Sequence, residues 1–576
     1  MTDSHSNVSP ATRHVEKSVR RVHFSGLDVV TASIALLLAI PVLSVFFSAL
    51  VASDTVFSHL AATVLPEYVT NTLLLGLLVG GGVLLIGIPA AWLVAACDFP
   101  GRRMFEAALV LPLAAPAYVL AYAYADFLSA FGPVQSFLRA RLGLELGAYW
   151  FPDVRSLPGV AIMLTLVLYP YVYLLARARF LAESGAAWDA ARSLGRGPWS
   201  AFFSVSLPLA RPAIAAGTAL ALMETFADYG TVSYYGVPVF TTGIYRAWFS
   251  FGDPAAAAKL AALLVLFVAL VLAGERWARG GARFHETGRR DFRPERLALR
   301  GTGSVLAIIA CALPPLLGFL LPAGVLSSLL LRTGMPGREF SQHLFNSFTL
   351  ALLAAAAATT IALVLAFARK TRPKTLAGRA AGIAGLGYAV PGAVIAIGVL
   401  APFTFFDNAL DGLMRSTLGF STGLVLTGSA AGLIFAYVVR YLAVALQSVS
   451  AGLERVTPSI AGAARMLGRG NWDVLKRIYL PLLSPSALTA ILLVFVDVMK
   501  ELPATLMLRP FNFDTLAVAA HNYAADERLG FAAAPSLALV AAGILPCILL
   551  IRSISHAAQR GTTAPGAIGV TVPAVI

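Results

Sequence analysis

A chain of 576 residues of which 58% are hydrophobic and only 12% charged, with a mean hydropathy of +0.79, cannot be a string of soluble domains, which carry about 25% charged residues. Its net charge of +14 would suit a nucleic-acid binder, but the basic residues sit in short loops between long apolar runs, which excludes that reading. Cys97, Cys311 and Cys547 lie in separate apolar stretches with neither metal-ligand nor disulfide spacing.

Residues 1–26 are polar and lack the charged start, short apolar core and small-residue cleavage site of a signal peptide, so they are expected to be a cytoplasmic N-terminal segment. Runs long enough to cross a hydrocarbon core of about 30 Å follow near 27–50, 70–97, 104–130, 158–176, 209–232 and 256–274. A basic linker, 275–302, interrupts them. Six more runs lie near 303–331, 344–368, 380–404, 422–446, 484–508 and 534–552, before a C-terminal tail, 553–576, whose end we expect to be disordered. The runs are uniformly apolar and do not alternate, which excludes a barrel. The expected fold is an all-α integral membrane protein of about 12 transmembrane helices. With the N-terminus inside, the seven inside segments hold 32 of the 43 Lys and Arg residues, and the excess of cations on cytoplasmic loops predicts two cytoplasmic termini.

The two sets of six runs are copies of one unit. Asn71-Thr72-Leu73 is echoed by Asn346-Ser347-Phe348, and Pro116 by Pro391, both at an offset of 275. Asp189-Ala190-Ala191-Arg192-Ser193-Leu194-Gly195 aligns with Gly462-Ala463-Ala464-Arg465-Met466-Leu467-Gly468 at an offset of 273, a register that also matches Trp199 to Trp472 and Leu207-Pro208 to Leu480-Pro481. Because six is even, both halves, 27–274 and 303–552, start on the same side, giving a parallel repeat about an axis along the membrane normal.

The duplicated loops, about 183–208 and 455–481, have the makings of stiff elbows. Asp189 places a negative charge in the first turn of a short helix, where the dipole favours it, and Thr457-Pro458 supplies a cap and first-turn pair. Gly195 and Gly468 fall where that helix must stop and reverse, through left-handed backbone. A second short helix with Trp199 or Trp472 then leads back into the bilayer, and the small faces Ala190/Ala191 and Ala463/Ala464 permit close docking.

These residues resemble the EAA loop of ABC importer permeases, E-A-A-x3-G-x9-I-x-L-P. The first copy has Asp189 for Glu and Val205 for Ile; the second has Gly462 for Glu, while Ile478-Tyr479-Leu480-Pro481 fits. The resemblance implies a type I importer permease whose two loops are coupling helices, each seated in one of two ABC ATPase subunits. The missing carboxylate at Gly462 implies unequal seats. The chain has no G-x-x-x-x-G-K-[ST] phosphate loop, so ATP and Mg are expected on the partner ATPase. The chain itself is then not an enzyme and carries no cofactor.

Glu224 and Asp228 in the fifth run, and Asp497 and Glu501 in the eleventh, are i,i+4 pairs that correspond at an offset of 273. Each acid near a helix centre costs about 2.5–3.5 kcal/mol on insertion scales, so we expect them to line a translocation pathway or to serve an interior polar network with Lys500. The stretches Lys500-Glu501-Leu502-Pro503-Ala504-Thr505-Leu506 and Arg509-Pro510-Phe511-Asn512-Phe513-Asp514, with Asp228-Tyr229-Gly230-Thr231-Val232 in the first half, resemble the fused iron(III) transport permeases. That resemblance implies ferric iron delivered by a periplasmic iron-binding protein, in the bacterial inner membrane, with lipid and no nucleic acid as surroundings. The same architecture serves thiamine, organophosphonates and polyamines. An ion-gradient-driven secondary transporter would share the parallel halves and buried acids, but not the elbows. The eight histidines show no i,i+4 pair, so no permanent metal site is expected. Asp407, Asp411, Asp526 and Glu527, on predicted outside loops, are weighed as docking acids for the binding protein.

Overall fold

The computed structural model describes residues 26–51, 55–182, 193–195, 197–279, 296–334, 337–371, 389–454 and 475–560, and single positions between them. Eleven helices among these are long and apolar enough to cross a membrane, and two helical stretches, Arg102–Ala114 and Ala117–Leu142, bent by 92° at a short break, are so only as a pair, bringing the total to 12 if they make one span. The bend has a local cause. Pro112 and Pro116 bracket a single tight turn at Leu111–Ala114, and Ala115, before Pro116, is extended at φ −95°, ψ 132°, as the residue ahead of a proline prefers. Pro391 repeats the extended geometry at φ −57°, ψ 143° and starts a helix at Gly392. Among the described residues the ninth crossing holds Gly392–Leu418, which extends past the end expected near 404, and most of 380–388 lies outside them.

In chain order the elements are α1 (Gly26–Val51), α2 (Leu65–Ala96), β1 (Cys97–Asp98), α3 (Arg102–Ala108), α4 (Ala117–Leu128), α5 (Leu157–Ala182), α6 (Leu207–Ala227), α7 (Gly230–Tyr234), α8 (Phe240–Tyr245) and α9 (Pro254–Arg279). The second set is β2 (Leu297–Ala298), α10 (Thr302–Pro315), α11 (Leu321–Thr333), α12 (Arg338–Thr371), α13 (Gly392–Leu418), α14 (Ala430–Glu454), α15 (Leu480–Met499), α16 (Pro503–Leu508), α17 (Leu516–Ala525) and α18 (Leu529–Arg560). The last helix runs to Arg560, beyond the end expected near 552, and residues 280–295 of the linker lie outside the described residues. The linker's far end is tied down: β2 pairs in parallel with β1, Cys97 opposite Leu297, and Leu299 N–H donates to Asp98 O at 3.0 Å.

Packing repeats as the sequence does. α2, α5 and α6 form one three-helix core, and α12, α14 and α15 form its counterpart. The first crossing of each set then leaves its own core: α1 packs on α9 and on α13 of the other set, and α11 packs on α18 and on α4. Close approach enforces this exchange, since a Cβ on Gly398 would collide with the Pro41 carbonyl of α1; small residues of this kind let helices meet in lipid, where apolar burial alone gives no preference for a partner helix. On the other side Tyr124 hydroxyl donates to Leu317 O at 2.7 Å. Outer faces such as Leu36, Leu77, Leu85 and Leu306 are exposed and form the lipid-facing surface.

Candidate functional site

The sequence places the four acids inside two continuous helices. The structure ends α6 at Ala227 and α15 at Met499, so Asp228 and Glu501 stand just past the helix ends. Both do the same local work. Asp228 carboxylate accepts from the N–H groups of Thr231 (3.0 Å) and Val232 (3.1 Å) and from Thr231 Oγ1 (2.9 Å). Glu501 accepts from the N–H groups of Ala504 (2.8 Å) and Thr505 (3.0 Å) and from Thr505 Oγ1 (2.6 Å). Each acid satisfies the orphan donors at the start of a short helix, α7 or α16, as a capping carboxylate does. Broken backbone at membrane depth needs such partners.

Glu224 and Asp497, one turn earlier, are half-buried, as Asp228 is. They are electrostatic neighbours of one another across the two sets, and Lys500 and Arg440 also act on Asp497. The pairs therefore divide: Asp228 and Glu501 hold backbone, whereas Asp497 makes no such backbone bond among the described residues and has Glu224 as its neighbour. Arg440, inside the run expected near 422–446, was not singled out from the sequence. It lies buried in the middle of α14 and donates from Nη1 to Glu501 Oε1 at 3.0 Å. A Cβ on Gly392 would sit 2.7 Å from Glu501 Oε1 and against the Arg440 guanidinium, so glycine there makes room for the pair. At the repeat offset of 273 Arg440 falls on Val167, and among the described residues no arginine pairs with Asp228.

Tyrosines of the first set close the junction. Tyr118 hydroxyl donates to Lys500 O at 3.3 Å, Tyr245 hydroxyl to Pro503 O, and Lys500 Nζ to Leu113 O at 2.9 Å. Tyr122 hydroxyl and His521 Nδ1 share a hydrogen bond of 2.9 Å. Tyr229 stacks on Tyr245 with centroids 3.7 Å apart, and Tyr234 meets Tyr122 edge-on. Burial pushes the His521 imidazole, on the short α17, down to about 4, so it is neutral at pH 7. The i,i+4 spacing of Tyr118 and Tyr122 was a readable signal; His521 offered none. Among the described residues no three His, Cys, Asp or Glu side chains converge.

Of the elbow residues, Asp189, Ala190, Ala191, Gly462, Ala463 and Ala464 lie outside the described residues. Gly195 (φ 79°) and Gly468 (φ 74°) are both left-handed. Pro198–Ala201 forms the second short helix, and a wide turn, Phe202–Ser206, leads into α6 at Leu207; Leu475–Tyr479 leads likewise into α15 at Leu480. Trp199 packs on Trp92 of α2 with centroids 5.0 Å apart, which ties the elbow to the first core. Asp407 is not a surface acid: it is fully buried on α13 and accepts from Leu426 N–H (3.0 Å) and Thr427 N–H (2.7 Å), so it shapes the following loop. Asp411 is committed similarly to Ser421 Oγ and Thr422 N–H. Asp526 is exposed, and Glu527, also exposed, pairs with Arg155 at 3.0 Å.

The chain matches the family model described as binding-protein-dependent transport system inner membrane component twice, over residues 82–279 and 358–561. It is 26% identical over 495 residues, 84% of its length, to the Fe(3+)-transport system permease protein FbpB 2 of Haemophilus influenzae, of which the match covers 90%. It is 28% identical over 37% of its length to the molybdenum transport system permease protein ModB of Escherichia coli K12, covering 93% of that protein. A third similarity, 29% over 30% of the chain, is to the putative 2-aminoethylphosphonate transport system permease protein PhnV of Salmonella typhimurium, 59% of which is covered.

Proposed function

The chain belongs to the family of binding-protein-dependent transport system inner membrane components, and on that premise we propose that it is the permease through which an ATP-driven importer moves ferric iron into the cytoplasm. The observation that carries the cargo is the similarity to the Fe(3+) permease, which spans both halves, 84% of this chain and 90% of that one. The molybdenum permease matches over 37% of the chain. Charge supports the same choice, because Glu224 and Asp497, half-buried neighbours across the two sets, favour a cation over an oxyanion.

The halves 27–274 and 303–552 act as two rocking bodies. Glu224 and Asp497 give the passing ion transient carboxylate contacts, suited to a hard cation, while Asp228 and Glu501 hold the broken helices that shape the opening. The loops 183–208 and 455–481 seat in two copies of an ABC ATPase, with Gly195 and Gly468 as their reversals, so that nucleotide-driven closure tilts α6 and α15. A periplasmic iron-binding protein docks on the face opposite the basic loops. That orientation, with both termini cytoplasmic, follows from the distribution of Lys and Arg.

Uptake of radioactive iron into vesicles holding this chain, its ATPase and its binding protein tests the reading. ATP-dependent accumulation is expected. Accumulation of molybdate or a phosphonate in place of iron would reassign the cargo, and iron uptake without nucleotide hydrolysis would overturn the importer itself.

A further inference from the structure

Where α2 leaves the bilayer, β1, the start of α3 and the linker strand β2 enclose a cleft of about 630 Å³ bounded by Asp98, Gly101, Arg102, Arg103 and Arg296. Among the described residues, three arginines and one carboxylate line it. Arg102 is 8% exposed and its Nε makes no hydrogen bond, although the side chain is held by Asp98 and Glu106, each 3.6 Å away, and donates from Nη1 to Val94 O at 3.2 Å. Arg103 is exposed and makes no ion pair among the described residues. Met104 on α3, next in the chain to Arg103, is apolar and 64% exposed. An arginine-lined cleft beside an exposed apolar side chain at a helix end matches an anionic group attached to acyl chains.

We propose that this cleft seats the phosphate of an acidic phospholipid headgroup in the leaflet on the basic face. Guanidinium forks bind phosphate oxygens in two parallel hydrogen bonds, and basic pockets beside transmembrane helices are where anionic headgroups collect. The site belongs to the first half alone. One step from the cleft, Glu106 pairs with Arg177 near the end of α5 and Tyr173 hydroxyl donates to Glu106 O at 3.1 Å. At the repeat offsets of 275 and 273, Glu106 and Arg177 fall on Ala381 and Ser450. A bound phosphate competes with Asp98 and Glu106 for Arg102, and so touches the ion chain that leads to the first elbow.

Only the identification of the basic face with the cytoplasm rests on the proposed orientation; the test involves no ATPase, binding protein or iron, so its failure is separable from failure of the transport reading. The purified full chain is equilibrated with equal phosphatidylglycerol and phosphatidylcholine, separated from free lipid, and its retained lipid is weighed by mass spectrometry. Wild type retains phosphatidylglycerol preferentially. Arg103→Ala with Arg296→Ala, both exposed positions, lowers that retention by about fivefold per arginine, whereas Arg276→Ala with Arg369→Ala, an equal charge loss at exposed positions elsewhere, changes it little. Equal retention in all three proteins overturns the site. Release of phosphatidylglycerol from wild type by millimolar inorganic phosphate overturns the lipid as occupant and assigns the cleft to a soluble anion.

Discussion

At the scale of single residues, the acids that sequence arithmetic pairs as equals do different work. Glu501 caps α16 and is held by Arg440, and removing one partner of a buried ion pair leaves the other charge uncompensated, at about 3–5 kcal/mol. Arg440→Met should therefore lower the thermal midpoint of the solubilised protein well below that of Arg440→Met combined with Glu501→Gln, as read by fluorescence-detected chromatography after heating. A second residue sets a pH dependence. His521 titrates near 4 in the folded protein against an ordinary value of 6.5. As pH falls from about 6.5 towards 4 the unfolded chain takes up a proton that the native imidazole refuses, so native stability must fall across that window and recover as pH rises. Midpoints measured at pH 7 and pH 5 should differ more for wild type than for His521→Asn.

At the scale of elements, the two elbows and the crossing of first helices make separate demands on backbone. Proline fixes φ near −65°, which Gly195 and Gly468 at φ 79° and 74° cannot accept. Gly195→Pro or Gly468→Pro should leave membrane insertion intact while abolishing ATP-driven transport, and full uptake with the ATPase copurifying normally would count against the elbow. The crossing is steric. Gly398→Leu drives a side chain into the α1 backbone at Pro41, and overpacking of that kind costs about 1–3 kcal/mol or more, so the yield of monodisperse protein should drop. Proline and glycine punctuation was legible from the sequence at Pro116, Gly195 and Gly468. The helix ends at Ala227 and Met499 were not: polar residues stand near both and Pro503 near the second, but the sequence does not show that Asp228 and Glu501 cap the next short helices, which is why the backbone turns there.

At the scale of the molecule, the division of the acids predicts a division of phenotype. Glu224→Gln with Asp497→Asn should leave a well-folded permease with reduced iron uptake in reconstituted vesicles. Asp228→Asn with Glu501→Gln should lower the folded yield first; the opposite pattern would exchange their roles. Sequence alone determined that the chain crosses a membrane about 12 times, that it is built from one unit used twice, and that each unit ends its fourth crossing in a reversing loop. Those features are local or periodic: apolar length, a fixed offset, a glycine where a helix must stop. Only the tertiary structure decided that α1 and α11 pack on the opposite set, that Arg440 pairs with Glu501, that Tyr122 meets His521, and that Asp407 is buried under a loop it shapes. Each of those depends on side chains tens to hundreds of residues apart meeting in space. Two halves with the same hydrophobic pattern could satisfy that pattern separately or by exchange, and steric fit at Gly398 against Pro41 of α1 selects the exchanged arrangement.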